Sequence, residues 1–353
     1  MKNYFYYNVK NNEILAYEDV IEYIQKPTVI YVNYHFASVK LFFLNLFKAL
    51  YFEYDIVIND ISVLNKGVSS KNTESDQTSI ELTDIINRIS KTKSKLTLFT
   101  SGTTGQPKAV IHSLNNLIRG VKISEKNSQN NWGLAYNPTH IGGLQVIFQA
   151  FFNSNPLYDI FKYSKEEIIE ILNEKKITNI SATPTFYRFL VPLKEPNLTI
   201  KRISIGGERA DEKLCQLIYK SFPNGKLRNI YASTEAGTLL TSTNEVFKIP
   251  KDKRNLIKIV DNEIVVQKEY LGSNVGKKNW YKTGDIVKIV NARTQEFIFI
   301  SRSNEMINVG GNNVNPFVVE SVIDKIEGVE KSIVYGVKNK LIGNILFCDI
   351  KIN

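Results

Sequence analysis

Cysteine and histidine are scarce in this chain. Its 353 residues include two cysteines, Cys215 and Cys348, and three histidines, His35, His112 and His140. Two distant cysteines indicate neither a disulfide framework nor a cysteine-rich metal site, and three scattered histidines argue against a histidine-ligated zinc ion. We therefore expect a protein of the cytoplasm.

Long apolar runs are also missing. The longest candidate, Leu41–Tyr54, contains Asn45, Lys48 and Glu53, so it predicts a core helix and not a membrane span. The first ten residues lack the apolar segment of a signal peptide. With 43% hydrophobic and 23% charged residues, the composition is that of a globular protein.

Dense basic runs are the third absence, although the net charge is +10 and the pI is about 9.2. The lysines are spread among many Asn and Ile residues, which is typical of a biased base composition and does not predict a nucleic-acid interface. Attraction of small anionic ligands would be a secondary effect of this charge.

What the chain does contain is a strand followed by a loop rich in glycine and hydroxyl groups. Leu96–Thr100 predicts a buried strand, and the chain then reads S-G-T-T-G-Q-P-K from Ser101 to Lys108. Gly102 and Gly105 allow backbone N–H groups to converge on an anion, and the lysine supplies a positive charge. An ordinary Ser/Thr/Gly turn is the alternative, and the spacing fits neither the common P-loop nor G-x-G-x-x-G.

This stretch resembles the phosphate loop of the adenylate-forming superfamily, which includes acyl- and aryl-CoA synthetases, peptide-synthetase adenylation domains and luciferases. The resemblance implies that the loop binds the phosphates of ATP and that Lys108 is catalytic. The residues it assigns to ATP here are Thr100, Ser101, Gly102, Thr103, Thr104 and Gly105. Further stretches resemble motifs of the superfamily in the expected order.

Leu227–Gly237, L-R-N-I-Y-A-S-T-E-A-G, resembles the Y-G-x-T-E motif, with Ala232 in place of the glycine. The chemistry of the residues agrees with the roles that the resemblance implies. Tyr231 offers an aromatic face to adenine, and Thr234 offers a hydroxyl to the α-phosphate. Glu235 offers a carboxylate to Mg²⁺ and is also expected to be catalytic. The alanine methyl should be tolerated unless the backbone there needs a positive φ.

Ala135–Leu144, A-Y-N-P-T-H-I-G-G-L, is similar to the H-x-x-G-L segment of the superfamily. The resemblance implies that His140 faces the acid substrate or gates its pocket, whereas an isolated histidine is more often structural. Peptide-synthetase domains have an aspartate in this region that holds the α-amino group of the substrate. This stretch has no acidic residue, and a buried ammonium group without a partner is costly, so we expect an acid without an α-amine.

Three more stretches complete the predicted site. Gly207 and Glu208 follow the run R-I-S-I-G, where the superfamily lines its adenine and acyl pockets; a plain strand-to-helix turn is the alternative. Trp280–Val287 matches Y-x-T-G-D, and Asp285 would accept hydrogen bonds from both ribose hydroxyls, the alternative being a hairpin Gly-Asp. Arg302, in a region similar to the hinge, would contact ribose and phosphate.

The resemblance covers nearly the whole chain but departs from the superfamily at both ends. The region before the phosphate loop is shorter than usual. The P-x-T-x-x-G-K segment, whose lysine binds the carboxylate and the α-phosphate, has no match before Asn353. We expect either a fragment or a short form whose first step is slower by about 10²–10³-fold, the typical effect of losing one transition-state donor.

Alternating strands and helices predict an α/β fold with parallel strands. We expect a large AMP-binding domain over residues 1–301, built of sheets flanked by helices, and a truncated small α+β domain over residues 302–353, with the site between them. Leu64–Asp76 is predicted to be an exposed loop and Leu114–Ser124 a helix. Pro138 and the Gly142-Gly143 pair predict a tight turn into a helix over Leu144–Phe151.

The resemblance implies an ATP-dependent acid–CoA ligase that uses Mg²⁺ and takes coenzyme A as its acyl acceptor. The build is most similar to small acyl- or aryl-CoA ligases of the o-succinylbenzoate type. Two alternatives stay open: an adenylating enzyme that loads a carrier protein, and a non-catalytic protein that binds a nucleotide or an acyl adenylate. We expect neither a nucleic-acid partner nor a membrane span.

Overall fold

The chain forms two compact units. A computed structural model describes residues 4–34, 38–59, 69–72, 79–100, 108–339 and 343–352. The first unit consists of Met1–Phe247 with Lys268–Asn279, and the second consists of Lys248–Gln267 with Trp280–Asn353. The domain boundary predicted after residue 301 lies inside the second unit and stays a prediction.

The first unit has an α/β architecture, as predicted. Its strands are β1 (Tyr4–Asn8), β2 (Glu13–Ala16), β3 (Val29–Tyr34), β4 (Ile56–Ile58), β5 (Ser69–Asn72), β6 (Lys95–Thr100), β7 (Lys108–Ser113), β8 (Trp132–Leu134), β9 (Leu157–Asp159), β10 (Asn179–Ala182), β11 (Arg202–Gly206), β12 (Lys226–Ser233) and β13 (Gly237–Ser242). Its helices are α1 (Tyr17–Gln25), α2 (Val39–Tyr51), α3 (Leu82–Ser90), α4 (Leu114–Leu117), α5 (Ile141–Phe151), α6 (Lys165–Glu174), α7 (Pro184–Leu190) and α8 (Glu212–Ser221).

The larger sheet of this unit has the strand order β13-β12-β11-β10-β8-β9-β1-β2. The six strands from β12 to β1 in this order are parallel, while β13 and β2 pair antiparallel at the two ends. Parallel strands end at the same edge of a sheet, and open α/β sheets bind ligands at that edge. The segments after β8, β10, β11 and β12 therefore share one edge.

The smaller sheet has the order β5-β3-β4-β6-β7. Strands β3, β4 and β6 are parallel, and β6 and β7 form an antiparallel hairpin. Strand β5 lies within the predicted loop Leu64–Asp76, so that prediction was wrong for Ser69–Asn72. These polar residues pair antiparallel with β3, which supplies backbone hydrogen bonds while their side chains stay exposed.

Aromatic side chains form the centre of the core of the first unit. Phe47 of α2 stacks on Phe151 of α5 with ring centroids 3.8 Å apart. Phe5 of β1 meets both rings edge-on at 5.4 and 5.6 Å, and all three side chains are fully buried. This contact joins an N-terminal strand to helices that are far apart in sequence.

Lys48 of α2 is fully buried and stabilises the C-terminal end of α1. Its ammonium group donates hydrogen bonds to the carbonyl of Tyr23 at 2.8 Å, to the hydroxyl of Thr28 at 2.7 Å and to the carbonyl of Lys26. The last carbonyls of a helix have no partner within the helix, and Lys48 supplies one. Burial lowers the pKa of Lys48 to about 8.

The helix predicted over Leu114–Ser124 ends at Leu117, so its predicted length was wrong. The backbone beyond it is bonded by side chains of the α5 region: the amide of Lys122 donates to Gln149 at 2.9 Å, and its carbonyl accepts from Asn153 at 3.1 Å. These partners replace the hydrogen bonds that a longer helix would make.

The second unit is rich in strands. They are β14 (Phe247–Lys248), where the chain passes from the first unit, β15 (Ile257–Val260), β16 (Glu263–Gln267), β17 (Trp280–Asn291), β18 (Glu296–Arg302), β19 (Ile307–Val309), β20 (Asn312–Val314), β21 (Val329–Asn339) and β22 (Gly343–Ile352), with helix α9 (Pro316–Ile323). The main sheet has the order β14-β18-β17-β16-β15, and β19-β20 and β21-β22 form two-stranded sheets.

Candidate active site

The β6–β7 hairpin carries the predicted phosphate loop at its tip. Thr100 and Lys108 are cross-strand partners where the two strands leave the loop, and the lysine is exposed. The structure therefore places one cation beside the predicted loop. The predicted ligands Ser101, Gly102, Thr103, Thr104 and Gly105 lie outside the described residues.

His140 precedes helix α5 at the edge where β8 ends. It occupies the N-cap position and is exposed; its backbone carbonyl accepts from the amide of Leu144 at 2.9 Å. Gly143 permits this tight turn, because a Cβ there would lie 2.2 Å from the carbonyl oxygen of Asn137. The turn that the sequence indicated is present, and helix α5 begins at Ile141, earlier than predicted.

Glu208 lies after β11 at the same edge and binds the first turn of α7. Its carboxylate accepts from the amide of Thr185 at 3.1 Å and from the hydroxyl of Thr185 at 2.5 Å. The preceding Gly207 has a φ of +84°, which favours glycine, and faces the methyl of Thr183.

Tyr136 is a residue of this edge that sequence reasoning missed. Burial raises the pKa of its hydroxyl, the charge of Glu208 raises it further, and the hydroxyl is hydrogen-bonded to Ser181. A Cβ on Gly142 would lie 3.2 Å from the tyrosine ring, so the glycine gives the ring its space. The tyrosine of the Y-N-P sequence before His140 could have indicated this residue.

Thr234 and Glu235 lie in the turn that follows β12. We call residues 233–237 the T–E turn. Three consecutive backbone carbonyls of this turn accept hydrogen bonds: Thr234 from Nε2 of His112 at 2.6 Å, Glu235 from the amide of Gly272 at 2.8 Å, and Ala236 from Arg119 at 3.1 Å.

Within the described residues, the side chains of Thr234 and Glu235 are left available. Thr234 and Glu235 are half-buried, and within the described residues their side chains make no hydrogen bond or ion pair. Mg²⁺ is usually held by one or two carboxylates together with phosphate oxygens and water, so a single available carboxylate fits a nucleotide-bound Mg²⁺. Among the described residues, no group of three or more His, Cys, Asp or Glu side chains forms a metal cage.

Tyr231 lies in β12 and is 7% exposed. Its ring meets that of Phe247 edge-on at 6.5 Å. Ala232, which replaces the glycine of the motif, is not among the residues with a positive φ, so its methyl is accommodated as expected.

Asp285 and Arg302 are cross-strand partners in the second unit. The guanidinium Nε donates to a carboxylate oxygen of Asp285 at 3.0 Å; the aspartate side chain is 7% exposed and the arginine side chain 49%. Gly284, with a φ of +80°, donates its amide to Glu263 at 2.9 Å and helps to fix this bend. The two residues that were predicted to contact ribose therefore lie side by side.

A model of the AMP-binding enzyme family matches residues 53–275. The chain belongs to this family. Within it, a 2-succinylbenzoate–CoA ligase of Listeria monocytogenes is 27% identical over 68% of this chain and 56% of its own length. A Staphylococcus epidermidis protein, VraA, provisionally described as a long chain fatty acid–CoA ligase, is 27% identical over 70% of this chain and 58% of its own.

Solved structures have a fold similar to that of this chain. The o-succinylbenzoate coenzyme A synthetase from Bacillus subtilis, solved in complex with ATP and magnesium ion, has a TM-score of 0.56 at 23% identity and covers 72% of this chain and 59% of that one. The chain thus spans a little over half the length of these relatives. No helix within the described ranges has the length and apolar character needed to cross a bilayer.

Proposed function

We propose that the protein is an ATP-dependent acid–CoA ligase acting on a carboxylic acid without an α-amino group. A carboxylate oxygen attacks the α-phosphorus of ATP, which forms an acyl adenylate and releases pyrophosphate. The thiol sulfur of coenzyme A then attacks the acyl carbon, the C–S bond forms, AMP leaves and the thiol proton passes to solvent. Membership of the AMP-binding enzyme family and the CoA-ligase names of two relatives support this reaction.

The T–E turn is the observation that carries the proposal. Its carbonyls are bonded to the protein, while the hydroxyl of Thr234 and the carboxylate of Glu235 make no bond within the described residues. In our proposal the hydroxyl binds the α-phosphate and the carboxylate holds Mg²⁺. The metal ion would neutralise charge on the phosphates.

The remaining predicted residues take the roles that the family resemblance implies. Lys108, Thr100 and the loop between them bind phosphates, Tyr231 contacts adenine, and Asp285 and Arg302 contact ribose. Gly207 and Glu208 line the adenine and acyl pockets, and His140 faces or gates the acid. These roles are proposals.

The bonding of Glu208 favours a substrate without an amine. Its carboxylate already accepts two hydrogen bonds from Thr185. Ala135–Leu144 contains no acidic residue. In our proposal the available carboxylate of this edge, Glu235, holds Mg²⁺. An α-ammonium group beside Glu208 or Ala135–Leu144 would therefore lack a free carboxylate partner, and a buried unpaired charge is costly. A cytoplasmic location remains our prediction, because ATP and coenzyme A are supplied there.

Acid-dependent exchange of labelled pyrophosphate into ATP tests the first step. We expect exchange with aryl or fatty acids and a loss of about tenfold or more in Lys108→Ala, since a charge-assisted bond to phosphate contributes about 1.5–3 kcal/mol. Lys95→Ala is a matched control, because Lys95 is an exposed lysine at the opposite end of the same hairpin. ATP binding without exchange for any acid would favour the non-catalytic alternative.

A second assay identifies the group that accepts the acyl chain from the adenylate. Release of AMP with coenzyme A, and no acylation of a phosphopantetheinyl carrier protein, is the expected result. The reverse pattern would replace the ligase by the carrier-loading alternative.

A further inference from the structure

The backbone of the T–E turn is held by hydrogen bonds from residues that are distant from it in sequence. Peptide units are planar, so a carbonyl bonded in one direction fixes the orientation of its whole peptide plane. Three successive planes are fixed in this way at Thr234, Glu235 and Ala236. The positions of the Thr234 and Glu235 side chains follow from those planes.

His112 is an unexpected residue for its position in β7. It is fully buried beside its cross-strand partner Leu96, and its Nδ1 has no hydrogen-bond partner among the described residues. A buried polar atom without a partner costs stability, so an apolar side chain would suit the core better. Burial lowers the pKa of the imidazole, which favours the neutral form with its proton on Nε2 facing the carbonyl of Thr234.

Arg119 forms no ion pair with a carboxylate of the described residues. One guanidinium nitrogen donates to the carbonyl of Ala236, and the other donates to the amide oxygen of Asn116 at 3.0 Å and to the carbonyl of Tyr270 at 3.2 Å. The guanidinium carbon lies 3.7 Å from the centre of the Tyr270 ring. Four contacts fix one planar group, so its orientation is defined.

All three donors are connected to β7, the strand that leaves the predicted phosphate loop. His112 belongs to β7, and Arg119 follows the short helix α4 into which β7 leads. Gly272 belongs to a segment bonded along β7: the amide of Ser273 donates to the carbonyl of Ile111 at 2.7 Å. The hairpin with Lys108 and the turn with Glu235 therefore share one rigid support.

From these contacts we infer that His112 and Arg119 are positioning residues for the adenylation reaction: they hold the T–E turn so that Thr234 and Glu235 stay in register with the phosphate-loop hairpin. This role rests on the proposed function. Neither residue needs to touch ATP or the acid. Groups that orient a functional side chain typically change activity by about 10- to 100-fold when they are removed.

His112→Leu and His112→Gln form the decisive pair of variants. Leucine removes the donor, whereas glutamine can present an N–H group near the place of Nε2. We expect the kcat of acid-dependent exchange to fall about 10- to 100-fold in His112→Leu, with the KM for ATP changed less than about threefold. His112→Gln should recover to within about threefold to fivefold of the original protein.

Thr92→Val is the control for a lost buried hydrogen bond. It removes the 2.9 Å bond between the hydroxyls of Thr92 and Ser94, which lie just before β6. Its kcat should stay within about twofold of that of the original protein. A normal kcat in His112→Leu, or an equal loss in both histidine variants at unchanged melting temperature, would overturn the positioning role.

Hydrogen exchange of the backbone amides separates this inference from the proposed function. Peptides covering residues 229–242 should exchange faster in His112→Leu and at the original rate in His112→Gln, with peptides of α6 and α8 unaffected. An original protein without any exchange of pyrophosphate would refute the ligase function but leave this measurement decisive. Unaltered protection of residues 229–242 in His112→Leu would refute the support by His112.

Discussion

Two regions of the first unit contain hydrogen bonds from buried side chains to backbone carbonyls, but these bonds serve different purposes. At the end of α1, the buried Lys48 donates to two backbone carbonyls and one hydroxyl. At the T–E turn, His112 and Arg119 donate to two backbone carbonyls. The α1 region carries none of the predicted site residues. The turn presents the hydroxyl of Thr234 and the carboxylate of Glu235, which have no partner in the part of the chain that the structure describes.

The difference shows how buried donors can serve stability in one place and geometry in another. A helix end needs its carbonyls satisfied because they cannot be hydrated in the core. The carbonyls of the T–E turn also need donors, because Ala236 and the His112 that bonds Thr234 are buried. A side-chain donor there adds a defined direction, which matters when neighbouring side chains must meet a ligand. Variants in the two regions should therefore affect different measurements.

Glu235→Gln should give the largest effect and should act only on turnover. The change keeps the shape of the side chain but removes its charge, so we expect Mg²⁺-dependent kcat to fall by about 10²–10³-fold. Thermal unfolding should change by less than about 0.5 kcal/mol, because the carboxylate has no partner within the described residues. A variant with a normal response to Mg²⁺ in steady-state exchange would remove the metal role of Glu235.

Lys48→Met should act only on stability. The variant leaves the carbonyls of Tyr23 and Lys26 without their donor, so we expect the free energy of unfolding at pH 7 to fall by about 2–3 kcal/mol. Urea titration followed by intrinsic fluorescence measures this change. Exchange activity of the folded variant at low temperature should equal that of the original protein. A selective loss of kcat would show that Lys48, like the donors at the T–E turn, affects turnover.

The stability contributed by Lys48 should rise with pH. Its pKa is about 8 in the folded protein against 10.5 for an unperturbed lysine, so between these values the unfolded chain binds more protons and alkaline pH favours folding. From pH 7 to pH 9.5 the stability gap between the original protein and Lys48→Met should widen by about 2 kcal/mol. Subtracting the variant cancels the titration of other groups. A constant gap in urea titrations at both pH values would show that burial does not lower this pKa.

Arg119→Lys should give the smallest change. The ammonium group of lysine can reach one carbonyl, but it cannot reproduce the planar fork that joins Ala236, Asn116 and Tyr270. We expect kcat to fall about three- to tenfold with little change in the KM for ATP. Steady-state exchange rates over a range of ATP concentrations separate the two constants, and a change confined to KM would contradict a positioning role.

Local patterns in the sequence were sufficient for much of the fold. The alternation of Leu96–Thr100 predicted β6, and the glycine pair before Leu144 predicted the turn into α5. The helix predicted over Leu114–Ser124 was too long, because Lys122 is bonded by Gln149 and Asn153 and no periodicity reveals such distant partners. Strand β5 was missed because its polar residues are held by pairing with β3 and not by a buried face.

The candidate site shows the same division between local and distant information. Motifs indicated Thr234, Glu235, Asp285 and Arg302 directly, and their assigned roles stay predictions. The supporting residues gave no such signal: His112 meets a carbonyl 122 residues further along the chain. A lone histidine in an alternating strand does not indicate which distant backbone group it will bond.

The segment containing Gly272, whose amide donates to the carbonyl of Glu235, is synthesised after the T–E turn. Gly272 follows strands β15 and β16 of the second unit in the chain, and its lack of a side chain lets it approach Val110, where a Cβ would lie 2.6 Å from a methyl. During synthesis, the T–E turn therefore emerges from the ribosome before the backbone amide that completes its bonding. A nascent chain stalled soon after β13 could already have most of the first unit in place, yet Glu235 would still lack one of the contacts that fix its backbone.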